Sequence, residues 1–163
     1  NVTGVQTCAL PISEIYDADT ATTSKLINIS SRSTVTSADG AFITGFVVTG
    51  GSKSVLVRGL GPALAQFGVT GTIADPVVSI FDATGRLVST NDNWSNTSSD
   101  GLISVNTSVL VASALQVGAF PLVVGSADAA LSVTLAPGAY TVQVNGPAAT
   151  ATGAAMLEVY ELP

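Results

Sequence analysis

Ala129-Ala-Leu-Ser-Val-Thr-Leu-Ala-Pro-Gly-Ala-Tyr-Thr-Val-Gln-Val-Asn145 holds two short runs rich in Val, Leu and Thr, parted by Ala136-Pro-Gly138. In the second run Tyr140, Val142 and Val144 fall on one face of an extended chain and Thr141 and Gln143 on the other, because side chains alternate with a period of two. Such a strand buries one side, and the Pro-Gly link reads as the tight connection of an antiparallel pair. The same rhythm recurs outward in both directions, predicting strands at Lys25–Ser31, Ala41–Thr49, Lys53–Arg58, Val77–Asp82, Arg86–Thr90, Ala129–Leu135, Ala139–Asn145 and Ala154–Glu161. Asp82-Ala-Thr-Gly85 and Gly50-Gly51-Ser52 supply two further hairpin-like links.

Two segments break the rhythm. Pro62-Ala-Leu-Ala-Gln-Phe67 predicts a short helical turn, with Pro62 near its first position and Gly68 stopping it. Between Asp100 and Gly118 the apolar positions Leu102, Val105, Val109, Ala112 and Leu115 recur at helical spacing, with Asp100 as N-cap and Gly118 as the stop. The expected fold is all-β: an antiparallel β-sandwich or jelly roll of about eight strands with one short helical insertion, a single domain over 25–163.

Composition sets the function classes. The chain has 163 residues, 47% apolar and 10% charged, enough to bury a core. Ser, Thr, Gly and Asn interrupt every apolar run, so no stretch of about 18 residues could form a membrane-spanning helix. Five basic residues are scattered among eleven acidic ones, net charge −6, which leaves no basic stripe for nucleic acid. With no histidine, one Cys and one Met, the chain lacks the usual general base, the soft metal ligands and any internal disulfide.

The opening Val2-Thr-Gly-Val-Gln-Thr-Cys-Ala-Leu-Pro-Ile12 resembles the conceptual translation of a sequencing-adapter oligonucleotide, and residues 1–12 are set aside as an artefact. Without Cys8 the remainder is cysteine-free. Glu14-Ile-Tyr-Asp17 is echoed by Glu158-Val-Tyr-Glu161, 144 positions later. This reads as a repeat boundary, with 13–24 the end of a preceding copy plus a linker.

Several ordered motifs add to this. Leu26-Ile-Asn-Ile-Ser-Ser-Arg32, Ile43-Thr-Gly-Phe-Val-Val48, Lys53-Ser-Val-Leu-Val-Arg-Gly-Leu-Gly-Pro62, Asn91-Asp-Asn-Trp94, Asp128-Ala-Ala-Leu131 and Leu157-Glu-Val-Tyr160 together resemble a repeat found, often in tandem or at the C-terminal end, in large secreted bacterial proteins. Ile80-Phe-Asp-Ala-Thr-Gly-Arg-Leu-Val88 and Pro137-Gly-Ala-Tyr-Thr-Val-Gln-Val144 are similar to the bacterial pre-peptidase C-terminal domain, a jelly-roll accessory module of secreted hydrolases. Both resemblances imply a non-catalytic extracellular or cell-surface module and carry no catalytic residue across.

The chemistry-bearing positions agree. Gly59-x-Gly61 after a strand, with Asp82 further on, imitates a dinucleotide fingerprint. Leu64 stands where the third Gly belongs, Pro62 removes an N–H, and the helix stops at Gly68, so tight turning is the better reading, with Arg58 left to pair with a carboxylate. Asp92, Asp100 and Asp128 fall in loops, where Asp more often caps or forms Asx-turns than acts in a catalytic pair. The oxygens of Asn91-Asp92-Asn93, with Asp82 or Asp100 nearby, would suit calcium; a loop organised by Asx hydrogen bonds is the alternative. Trp94 beside Asn91 and Asn93 is the candidate for stacking on a sugar ring, or else a lid on the core, while Tyr140 and Tyr160 belong to strand packing.

The expected function is therefore a non-catalytic extracellular β-sandwich repeat acting as spacer, adhesion or docking module, with neighbouring repeats and polysaccharide or cell-surface ligands as partners. The alternative is a carbohydrate-binding accessory domain of a secreted hydrolase. A binding module would expose Trp94 beside a concave polar surface; a spacer would bury it. Ala154–Glu161 would leave an open edge if its partner strand belongs to another copy.

Overall fold

The computed structural model describes residues 27–36, 40–95, 106–147 and 151–163. Eight strands form where the apolar and β-branched runs predict them: β1 Asn28–Val35, β2 Phe42–Val48, β3 Lys53–Leu60, β4 Val77–Asp82, β5 Leu87–Asn91, β6 Ala129–Leu135, β7 Gly138–Asn145 and β8 Gly153–Glu161. They make two four-stranded antiparallel sheets, ordered β1-β8-β3-β6 and β2-β7-β4-β5. This is jelly-roll connectivity, in which the chain passes repeatedly from one sheet to the other.

Of the three links expected to be hairpins, only Asp82–Gly85 joins paired strands, β4 and β5. Gly50-Gly51-Ser52 carries the chain from β2 to β3, and Ala136-Pro-Gly138 from β6 to β7; in both cases the strands lie in opposite sheets. Crossing lets consecutive apolar faces meet through the core instead of side by side: Leu131 and Leu135 of β6 and Val142 and Val144 of β7 all enter one cluster. β8 is likewise no open edge. It lies between β1 and β3, and the first sheet is edged by β1 and β6. Because Asn28 stands opposite Tyr160 and the Glu161 N–H donates to the Ile27 carbonyl at 2.7 Å, the chain enters and leaves the sandwich at the same end.

The core fills the space between the sheets with Val57, Val78, Ile80, Val142, Val144, Leu157 and their neighbours. β3 differs in being buried on both faces, from Val55 to Leu60. Its outer face is covered by α1, Thr107–Gln116, and by Phe120, which meets Arg58, while a 3-10 helix, Pro62–Phe67, follows β3 in the chain. The short helix starts with Pro and ends at Gly68 in the left-handed conformation, φ 76°, as expected. At Gly61 a Cβ would overlap the Ile73 carbonyl oxygen, so only glycine lets the chain turn off β3 there.

α1 departs from expectation at its start and in its buried face. Its N-cap is Asn106, whose side chain accepts from the Ser108 N–H at 3.0 Å; Asp100, Leu102 and Val105 lie outside the described residues. The buried positions are Leu110 and Ser113, whereas Val109 and Leu115 are exposed. Small Ser113 brings the helix close to β6, its hydroxyl 3.5 Å from that of Ser132, and that contact decides the face over the apolar count. No helix among the described residues is long and apolar enough to cross a membrane.

Candidate functional site

Asn91 ends β5 with its side chain buried. Its Oδ1 accepts from the Ala130 N–H at 3.0 Å, and its Nδ2 donates to the Asn93 carbonyl at 3.3 Å. Trp94 follows at 3% exposure, its backbone N–H donating to the Asp128 carbonyl at 2.8 Å and its indole N–H shared between the Val123 carbonyl and the Ser126 hydroxyl. An indole so placed offers no open face to a sugar. It lids the core, the second of the two readings of its sequence.

Asp128 is fully buried and gathers the same segments. Its Oδ1 accepts from the N–H groups of Gly61 and Ala63 at 2.9 and 3.1 Å, and its Oδ2 from the Ser126 hydroxyl at 2.8 Å. The donors that a dinucleotide site would aim at phosphate are thus spent on an internal carboxylate that caps the 3-10 helix from a distance.

Of the candidate calcium ligands, Asp82 and Asp92 do not come together. Asp82 closes the β4–β5 turn, while Asp92 follows the far end of β5, so at roughly 3.4 Å per residue they stand on the order of 15–20 Å apart. Asp82 accepts from the Thr84 hydroxyl and N–H and the Arg86 N–H, and pairs with the Arg86 guanidinium at 3.0 Å. Asp92 instead neighbours Asp75, whose carboxyl is pushed up, first by burial and then by the Asp92 charge. Asp100 lies outside the described residues, and among those described no three acidic, His or Cys side chains gather.

The Asp82 turn carries a pH signature. The Thr84 hydroxyl first, with the Arg86 and Thr84 N–H groups and the Arg86 side chain, holds its carboxyl down to about 2. A depressed carboxylate stabilises the fold fully above its unfolded value near 3.9 and loses that contribution as pH falls through the folded one. Asp82→Asn is therefore expected to melt below wild type at neutral pH, and the gap to close between about pH 4 and pH 2; thermal melts across that range check it.

On the outer face of the first sheet, Ser30, Glu158, Arg58 and Ala130 stand opposite one another across β1, β8, β3 and β6. The Arg58 Nε lies 2.9 Å from the Glu158 Oε2, a charge pair lacking the alignment of a hydrogen bond, with side-chain exposures of 1% and 6%. Arg58 also donates to the Phe120 carbonyl at 2.7 Å and stacks under the Phe120 ring, 4.3 Å from its centroid. Phe67 meets Phe120 edge-on at 4.9 Å. Burial lowers the Arg58 pKa, opposed by the charges of Glu158, Tyr160 and Asp128; burial, then Glu158, raises that of Tyr160.

No family model, curated protein or solved structure matches this chain. The site therefore rests on its own geometry.

Two hollows flank the Arg58–Glu158 rung. One is an apolar cavity of about 70 Å³ under α1, bordered by Trp94, Leu110 and Phe120. The other is a cleft of about 250 Å³: β1 and β8 form its floor with Ser30, Arg32, Met156 and Glu158, and Leu64, Phe67, Val69 and Phe120 form its wall. The cleft was not foreseen from sequence. Its one readable signal was Arg58, a charge inside the apolar run Val55-Leu-Val-Arg-Gly-Leu60, which demands a buried partner.

Proposed function

We propose that this chain is a non-catalytic β-sandwich repeat of a secreted or surface protein, serving as an adhesion or docking module. The observation that supports it best is the fate of the motif residues: Arg58, Gly61, Asn91, Trp94 and Asp128 are all buried and bonded to one another's segments. Residues invested in holding strands and loops together are what a structural module requires. Glu158 is the one carboxylate among the cleft residues, short of the facing pair a glycosidase uses.

Entry and exit at one end bear on the mechanism. In tandem, each copy would hang beside its linker and add little contour length, which favours docking and avidity over pure spacing. The calcium-binding reading has no assembled ligand set among the described residues in its favour, and an accessory module working through Trp94 would need an exposed indole.

The test is turnover. The chain, offered soluble polysaccharides, aryl glycosides and peptide esters, is expected to release product no faster than buffer. Turnover abolished by Glu158→Gln, in a protein that still melts cooperatively, would overturn the proposal.

A further inference from the structure

The cleft over β1 and β8 has two unlike sides. Its wall is apolar and aromatic, with Phe67 60% exposed and Phe120 held by its edge contact and by Arg58. Its floor carries a donor, an acceptor and a hydroxyl on adjacent rungs, since Ser30 stands opposite Glu158 and Arg32 opposite Met156. Arg32 is exposed and has no ion pair or hydrogen bond among the described residues, while the Glu158 charge is already met by Arg58.

We infer that this cleft binds one neutral sugar ring. With Glu158 already paired, an amine would find no free counter-charge and would face Arg32, while an aromatic carboxylate could pair with Arg32 but brings no donor for the Glu158 oxygens. A pyranose brings hydroxyls that donate to Glu158 and accept from Arg32 and Ser30, together with a C–H face to lie against Phe67 and Phe120. At about 250 Å³ the cleft is smaller than the roughly 300–1,000 Å³ of sites for drug-sized ligands, room for one ring and not for a chain. A single shallow subsite gives weak affinity, and copies in tandem would multiply it. The inference deepens the docking proposal by naming its ligand class, and it rests on that reading.

The experiment is a titration of the isotopically labelled chain with neutral hexoses and N-acetylhexosamines, followed by NMR, with benzoate and benzylamine as probes of the two charged alternatives. The variants are Arg32→Ala and Phe67→Ala, both at exposed positions, and Ile43→Ser on the other sheet as control. At least one neutral sugar is expected to shift Ser30, Phe120 and Met156 saturably. Arg32→Ala and Phe67→Ala each weaken it about tenfold, the scale of a lost hydrogen bond to a charged group or of a lost stacking face, and Ile43→Ser leaves it unchanged. Tighter binding of benzoate or benzylamine at these residues, sugar shifts that ignore Arg32→Ala, or no saturable shift in a folded chain would each overturn the inference. In those cases the module reading stands as long as no turnover is seen, whereas turnover would remove that reading whatever the sugars do.

Discussion

Replacing Glu158 with leucine is expected to destabilise the domain by about 3–5 kcal/mol, because it leaves the Arg58 guanidinium buried without its counter-charge. At about 2–4 °C per kcal/mol for a chain of this size, the melting temperature falls by roughly 10–15 °C. Arg58→Met should cost a similar amount, stranding Glu158 and freeing the Phe120 carbonyl. The decisive measurement is the double variant Arg58→Met/Glu158→Leu, followed by urea unfolding. Swapping a whole buried pair for apolar residues of like volume is often neutral or stabilising, so the double variant should recover most of what either single change loses. Equal and additive losses would mean that the charges do not interact, and that the rung is held by Phe120 and the sheet alone.

This rung also shows how far the sequence could be read. The strands were legible because Gly, Pro, Asn and Asp interrupt Val- and Thr-rich runs at nearly every turn, and β4 and β6 match their predicted bounds at both ends. Connectivity was less so: Gly50-Gly51-Ser52 and Ala136-Pro-Gly138 reverse the chain equally well within a sheet or across a sandwich, and local turn chemistry does not distinguish the two. The face of α1 was misread because a polar residue, Ser113, makes the close contact with β6. Arg58 announced a buried partner, but Glu158 is 100 positions away, and only the β3–β8 register makes them neighbours. Trp94 beside three polar residues left open a ligand face or a lid on the core, because the loop that covers it, from Val123 to Asp128, lies about 30 positions further on.

For that reason Trp94→Ala is expected to be as damaging as loss of the ion pair, at about 3–5 kcal/mol, the range for removing a large buried aromatic. The value should fall toward the upper end. The indole already borders a cavity of about 70 Å³, so truncation enlarges an existing void, and each added Å³ costs about 24 cal/mol where the surroundings cannot collapse. It also takes one of two donors from the Val123 carbonyl, which keeps the Ser126 N–H, and removes one partner of the Ser126 hydroxyl, which in turn supports Asp128. Trp94→Phe separates these effects: it keeps most of the packing and loses the N–H, and should cost roughly 1–3 kcal/mol. Since the chain has a single tryptophan, wild-type fluorescence reads the same environment directly, with emission blue-shifted from that of an exposed indole and little quenched by iodide. A red-shifted, readily quenched emission, with Trp94→Ala within about 0.5 kcal/mol of wild type as for ordinary surface positions, would mean that the indole is presented to solvent and would return it to the list of ligand-binding residues.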